Sequence, residues 1–272
     1  MPSTIFVRPA LQNKLLAALP DLELTRLQRH LSLVEVQTGE ILGVAALTLH
    51  HCYFPITSIV SLQYVANDGA STEVVAIGNE GLAGVNLLLA GGSTTYNVVV
   101  QNTGLMFRIK SGMLQEEFSR GGTLQYLLLW YMQALLTQIS QRAICNQRHS
   151  IDQQLRRWIL QTADRLGSKE LWMTHERLAN TLGVRREGIS EAAHNLQRAG
   201  LITYRRGRIT VVDRVGVEAD CCECYRVVRR ELDRLPSSSV GALPSMRRTA
   251  ALAPDHAARS NGLDRTSEIF AG

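Results

Sequence analysis

The sequence is short of the features that mark several protein classes. Of its 272 residues, seven are Pro and 21 are Gly, which excludes collagen-like and proline-rich low-complexity chains. Long apolar runs are missing as well. The two longest, 82–90 and 124–136, are interrupted by Asn86 and Gln133, and both fall short of the roughly 20 residues a membrane span needs. Met1-Pro2-Ser3-Thr4 is not followed by the basic patch and apolar stretch of a secretory leader. These absences predict a soluble cytoplasmic protein without a membrane partner. Aromatics are scarce at 6%, yet 45% of residues are apolar, enough for one large core or two modest ones.

Positive charge is present but localised. Residues 1–110 carry 6 Lys or Arg and 7 Asp or Glu, residues 111–212 carry 14 and 8, and residues 213–272 carry 9 and 9. The whole excess therefore lies in the middle of the chain. A local basic excess is the footprint of an anionic partner, nucleic acid above all.

Residues 33–110 read as short strands at 33–37, 51–54, 59–64, 72–77, 97–101 and 105–109. Glycines punctuate them, and Asn67-Asp68-Gly69 is a hairpin signal. An antiparallel barrel or sandwich fits this spacing. Before it, 10–31 has helical leucine spacing broken by Pro20. Residues 122–147 hold no Pro and no Gly beyond the first position, which predicts one long helix. It carries two apolar stripes: Leu124, Leu128, Tyr131 and Leu135, and then Leu129, Met132, Leu136, Ile139 and Ala143. One stripe can cover the β-domain. The second predicts a homodimer seam against the same helix of a twin subunit. A further helix over 150–166, closed by Gly167, leads into a compact helix-turn-helix and hairpin. One more helix follows over 215–235. The segment 236–272, rich in Ser, Ala, Arg and Pro, is expected to be disordered.

The chemistry concentrates in 173–213, MTHERLANTLGVRREGISEAAHNLQRAGLITYRRGRITVVD. Thr174 is a natural N-cap. Ala179 is small where a second helix must cross closely, and Gly183 sits at the turn, where a left-handed backbone suits glycine. Ile189, Ala193 and Leu196 would bury one face of a second helix over 185–199. Arg185, Arg186, Glu187, Ser190, Glu191 and His194 would then form the outer face, the one that meets base edges in a major groove. Arg can pair with guanine and Glu can accept from cytosine. Arg205, Arg206 and Arg208 on the hairpin suit phosphates, which position a protein without reading sequence.

This segment resembles the winged helix-turn-helix of the Crp/Fnr family of bacterial transcription regulators. The order from about residue 20 to 235 resembles the family's: a cyclic-nucleotide-binding-type β-roll, a dimerisation helix, then the winged helix. His51-Cys52-Tyr53-Phe54-Pro55, Gly78-Asn79-Glu80-Gly81 and Val98-Val99-Val100-Gln101 are similar to one branch carrying that roll. The resemblance implies an α+β fold with an antiparallel, jelly-roll-like β-roll over 1–120, a dimerisation helix over 121–149, and a DNA-binding domain with a C-terminal helix over 150–235. It also implies a homodimer on a pseudo-palindromic double-stranded DNA operator, RNA polymerase as a further partner, and no enzymatic activity. Base readout falls on Arg186, Glu187 and Ser190, and phosphate or flanking contacts on Thr174, Arg185, His194, Arg205, Arg206 and Arg208. Two positions depart from the pattern. Arg185 stands where the family has Ser or Thr, and Glu191 where an Arg commonly contacts bases.

The sensor half departs further. Family members that bind cyclic nucleotides neutralise the buried phosphate with an Arg, but no Arg or Lys occurs between Ser71 and Phe107. Cyclic AMP is therefore not expected to bind in the usual way. The five cysteines, at 52, 145, 221, 222 and 224, include no N-terminal cluster for iron–sulfur sensing. Cys221-Cys222-Glu223-Cys224 suggests a soft metal or a redox switch, but neighbouring thiols do not readily face one ion and no fourth ligand is evident. Reduced, packed thiols and no metal are the expectation. Two alternatives stay open: a ligand-independent member whose β-roll serves only dimerisation or polymerase contact, and a cupin-type metal enzyme. The second is disfavoured because His50 and His51 point to opposite faces of a strand.

Overall fold

Runs of β-branched residues bounded by glycine build the N-terminal half. A computed structural model describes residues 10, 12–67, 69, 71–89 and 93–234. The expected disordered segment 236–272 lies outside them. Two short helices, α1 (Lys14–Ala17) and α2 (Asp21–Gln28), are separated by Pro20. They lead into strands β1 (Ser32–Val36), β2 (Ile41–Gly43), β3 (His51–Pro55), β4 (Ile59–Val65), β5 (Ser71–Ile77), β6 (Asn97–Asn102) and β7 (Gly104–Lys110). These form two antiparallel sheets, ordered β1-β7-β3 and β2-β6-β4-β5. Phe107 pairs with Leu33 on one side and Phe54 on the other, and Val60 lies opposite Ile77 and Val100. Phe54, Met106, Phe107, Ile109, Val60, Val75 and Val100 are buried in the core of this β-roll.

Two helices follow. The first, α3 (Ser111–Ser119), was not among the expected elements. The second, α4, runs unbroken from Gly122 to Arg148. Gly121 and Gly122 turn the chain with φ of 78° and 82°, where a side chain would be strained. The Glu23 carboxylate of α2 then accepts from Thr123 N at 3.1 Å and Leu124 N at 2.8 Å. An anion thus satisfies free amides at the positive end of the helix. Leu124, Leu127, Leu128, Tyr131, Ala134, Gln138, Arg142 and Cys145 face the body. Leu129 and Leu136 stay 51% and 60% exposed, Ala143 is exposed, and Met132 and Ile139 are half-buried.

The C-terminal half has its own core. Helix α5 (Ile151–Leu166) opens with a capping box between Ser150 and Gln153 and closes on Gly167 at φ 59°. Strand β8 (Glu170–Trp172), helices α6 (His175–Leu182) and α7 (Arg186–Arg198), and strands β9 (Ile202–Arg205) and β10 (Arg208–Val211) complete a winged helix-turn-helix. Its sheet is ordered β8-β10-β9. Leu155, Ile159, Leu178, Ile189, Leu196, Ile209 and Val217 are at most 1% exposed within one cluster. Each such burial contributes about 1.5–3 kcal/mol relative to an exposed side chain.

The last helix differs from expectation. In place of one helix over 215–235 there are two, α8 (Arg214–Ala219) and α9 (Glu223–Asp233). Asp213 caps the first by accepting from Gly216 N, and extended backbone at Cys222 (ψ 155°) restarts the second. The break keeps Val217 in the C-terminal core while α9 turns along α4.

Candidate nucleic-acid interface

Helix α6 starts at Thr174, whose hydroxyl accepts from Arg177 N at 3.3 Å, and stops at Gly183, φ 69°. Both are the roles expected of those residues. Helix α7 starts one residue later than expected, with Arg185 at its N-cap and no side-chain cap. Its buried face is Ile189, Ala192, Ala193 and Leu196. At Gly188 the second helix passes close to Ile151, whose Cδ1 methyl would have to shift to admit a Cβ, the two lying 2.5 Å apart. Arg185, Arg186, Glu187, Glu191 and His194 are exposed on the opposite face. No described acidic group forms an ion pair with Arg185, Arg186, Arg205 or Arg206.

Ser190 has a different setting from its neighbours. It is half-buried, with its hydroxyl 2.9 Å from His175 Nδ1 and within 3.1 Å of the Arg186 carbonyl, to which it donates. The His175 ring stacks on Tyr204 with centroids 4.4 Å apart. Tyr204 in turn donates its hydroxyl to Met173 O at 2.8 Å and its amide to Gln197 Oε1 at 2.8 Å. Ser190, His175 and Tyr204 thereby link the second helix, the first helix and the wing. Burial, and then the Arg186 charge, holds His175 below the usual histidine range. Sequence reasoning missed His175, Tyr204 and Gln197, because none of them lies on a periodic face.

The wing turns through Arg206 (φ 52°) and Gly207 (φ 80°). Left-handed backbone at both positions is the geometry of a tight two-residue hairpin. It projects Arg205 and Arg206 into solvent. Arg208 is held otherwise: it pairs with Glu170 and lies 5.8 Å from the Trp172 ring centroid. Both partners come from β8, a strand absent from the sequence expectation. Arg208 therefore faces a local carboxylate, unlike the two arginines before it.

One buried ion pair attaches this domain to the β-roll, and a second ties the long helix to the roll. Arg165 Nε reaches Glu80 Oε1 at 2.7 Å, and Arg142 Nη1 reaches Glu73 Oε1 at 2.9 Å. Arg142 also donates to the Thr181 carbonyl, and Arg177 to Gln101 O at 3.0 Å. Inside the roll, the Tyr131 ring fills the space beside Gly81, where a Cβ would come within 2.3 Å of the Tyr131 hydroxyl. Burial, reinforced by Glu80, pushes the Tyr131 hydroxyl up so that it stays protonated.

A family model described as the Crp-like helix-turn-helix domain matches residues 153–219. The chain carries a Crp-like helix-turn-helix domain. Solved Crp/Fnr-type structures extend the likeness to the β-roll. A transcriptional regulator of the Crp/Fnr family from Eubacterium rectale is 16% identical with a TM-score of 0.59, over 79% of this chain and 97% of that one. FixK2 from Bradyrhizobium japonicum is 14% identical with a TM-score of 0.62, over 71% and 98%. CLP of Xanthomonas campestris, a c-di-GMP-responsive global regulator, is 16% identical with a TM-score of 0.54, over 71% and 99%. These matches establish a Crp/Fnr-type fold of β-roll, long helix and winged domain. No curated protein matches the chain by sequence. Among the described residues, no helix is long and apolar enough to cross a membrane.

Proposed function

We propose that the protein is a homodimeric, sequence-specific transcription regulator. Its three working parts are the β-roll over 1–120, the dimerisation helix over 121–149 and the DNA-binding domain over 150–235. The observation that carries the reading is the outer face of α7, where Arg185, Arg186, Glu187, Glu191 and His194 are exposed beside a wing bearing Arg205 and Arg206. In a major groove, Arg186 would donate to guanine O6 and N7, and Glu187 would accept from cytosine N4. Ser190 reads bases only if it leaves His175; in place, it orients the helix. Thr174, Arg185, His194, Arg205 and Arg206 would hold the flanking backbone. Arg208 would stiffen the wing through Glu170 rather than bind phosphate directly.

The apolar stripe Leu129, Met132, Leu136, Ile139 and Ala143 would form the dimer seam, setting two recognition helices on half-sites about one helical turn apart. RNA polymerase is the further partner that a promoter-bound regulator implies. The proposal excludes conventional cyclic AMP binding. The two buried guanidiniums that reach the roll, Arg142 and Arg165, are paired with Glu73 and Glu80, so neither is available to a phosphate. Genome-wide immunoprecipitation of the tagged protein, beside an Arg186→Ala, Glu187→Ala variant, tests the reading. A two-fold-symmetric motif that disappears in the variant is expected. Motif-free occupancy unchanged in the variant would refute it.

A further inference from the structure

At the junction of α4 and α9, four side chains from distant parts of the chain converge. Cys145 lies in the last turn of α4, and His149 is its C-cap. Cys222 is the N-cap of α9, and Cys224 lies in that helix's first turn. One ligand atom from each, three Sγ and one imidazole nitrogen, all lie within 4.8 Å of one another. The three cysteines are at most 3% exposed, and the His149 side chain is 11% exposed. All five cysteines of the chain are free thiols.

We propose that these four residues form a structural zinc site. The spacing fits first. Tetrahedral zinc with Zn–S of about 2.3 Å and Zn–N of about 2.0–2.1 Å requires S···S edges of about 3.8 Å and S···N edges of about 3.6 Å. The Cys145–Cys222 sulfurs are 3.7 Å apart, and Cys224 Sγ lies 3.6 Å from His149 Nδ1. Three sulfurs and one imidazole are a closed set, which leaves no open position for substrate and suits a structural rather than a catalytic ion.

The surroundings supply what such a site needs. With Nδ1 on the metal, the remaining His149 nitrogen, Nε2, lies 3.3 Å from Glu223 Oε2. A carboxylate behind a ligating histidine fixes its tautomer and raises its basicity. Three thiolates on a divalent ion leave one negative charge. The Arg157 guanidinium, 3% exposed and with its Nε unpartnered, lies within electrostatic reach of Cys145, Cys221 and Cys222.

The break between α8 and α9 makes the set possible. It puts Cys222 before the helix and Cys224 inside it, so both sulfurs meet Cys145 while the neighbouring Cys221 stays half-buried. The ion would join the end of the dimerisation helix to the last helix of the DNA-binding domain. The site stands without the DNA-binding reading, since these residues alone carry it.

Cobalt and zinc titration of the reduced full-length chain tests the proposal. We expect one equivalent of Co2+ per chain, with thiolate-to-cobalt charge-transfer and tetrahedral d–d bands, displaced stoichiometrically by Zn2+. Cys221→Ser should keep these bands, and His149→Cys should keep a tetrahedral site with a stronger thiolate signal. Cys224→Ser and His149→Ala should lose it. Glu223→Gln, on the surface and safe for folding, should weaken metal affinity roughly 10- to 100-fold. Absence of thiolate charge transfer in the reduced wild type would overturn the proposal. So would equal loss of binding in Cys221→Ser, with circular dichroism showing all variants folded.

Discussion

The Arg165–Glu80 pair offers the sharpest test of how the two halves are held together. Both side chains are almost fully buried, at 7% and 6% exposure, with Arg165 Nε 2.7 Å from Glu80 Oε1. Burial works against the guanidinium's charge, and the adjacent carboxylate more than offsets it. Glu80 Oε2 has no partner of its own, so the carboxylate depends on Arg165. Gly78 permits the approach, because a Cβ there would lie 2.7 Å from Arg165 Cβ. Removing one member leaves the other charge buried and unpaired, which costs about 3–5 kcal/mol. Replacing both with apolar side chains of similar volume removes both desolvation costs and is often neutral or stabilising.

Arg165→Met and Glu80→Leu should therefore each destabilise strongly, and the double variant should recover most of the loss. With a urea slope of about 1–3 kcal/mol/M, either single change should lower the unfolding midpoint by roughly 1 M or more. The assay is equilibrium urea unfolding of the wild type, both singles and the double, followed by circular dichroism and Trp fluorescence. A double variant whose loss equals the sum of the singles would show that the two residues do not act as a pair. Singles within about 0.5 kcal/mol of wild type, the range of ordinary surface changes, would show that the charges are not buried in solution.

Three further outcomes are expected. Arg206→Ala should weaken specific and random DNA alike and flatten the log–log salt dependence by about 1.8 per dimer, the share of one neutralised phosphate from each subunit, whereas Arg208→Ala should leave the slope closer to wild type; equal slope changes in fluorescence anisotropy would refute the distinction. Leu136→Asp should yield a monomer by light scattering that no longer binds a palindromic operator, and an unchanged dimer would remove this stripe from the seam. His175 titrates below its unfolded value of 6.5, so the unfolded chain takes up its proton first. Its contribution is complete above that value and is lost as pH falls through the folded value. Between about pH 7.5 and about pH 5.5, wild type should therefore lose more melting temperature than His175→Asn; parallel losses would place His175 outside the linkage.

Much of this fold was legible because local chemistry and tertiary structure agree. The strands other than β2 and β8, the Pro20 break, the unbroken long helix, the Thr174 cap and the Gly183 turn each follow from residue type and spacing. The exposed face of α7 follows from the burial of Ile189, Ala193 and Leu196. What stayed hidden depends on pairs far apart in sequence. The setting of Arg208 is one case: Glu170 and Trp172 stand beside it only because β8 pairs with β10. The setting of Ser190 is another: its hydroxyl meets His175, fifteen residues earlier.

The cysteines show the limit most clearly. From sequence alone, neighbouring thiols on one helix face different ways and lack a fourth ligand, which is true of an unbroken helix. Here the helix is broken. The extended backbone at Cys222 redirects one sulfur, and the partner ligands come from Cys145 and His149, more than seventy residues away. Helix propensity does not mark this break, since neither Pro nor Gly occupies 220–222. What requires it is two burial demands in different directions: Val217 in the DNA-domain core, and Cys222 with Cys224 against the end of α4. A single straight helix could satisfy only one of them, so tertiary packing overrides local preference here.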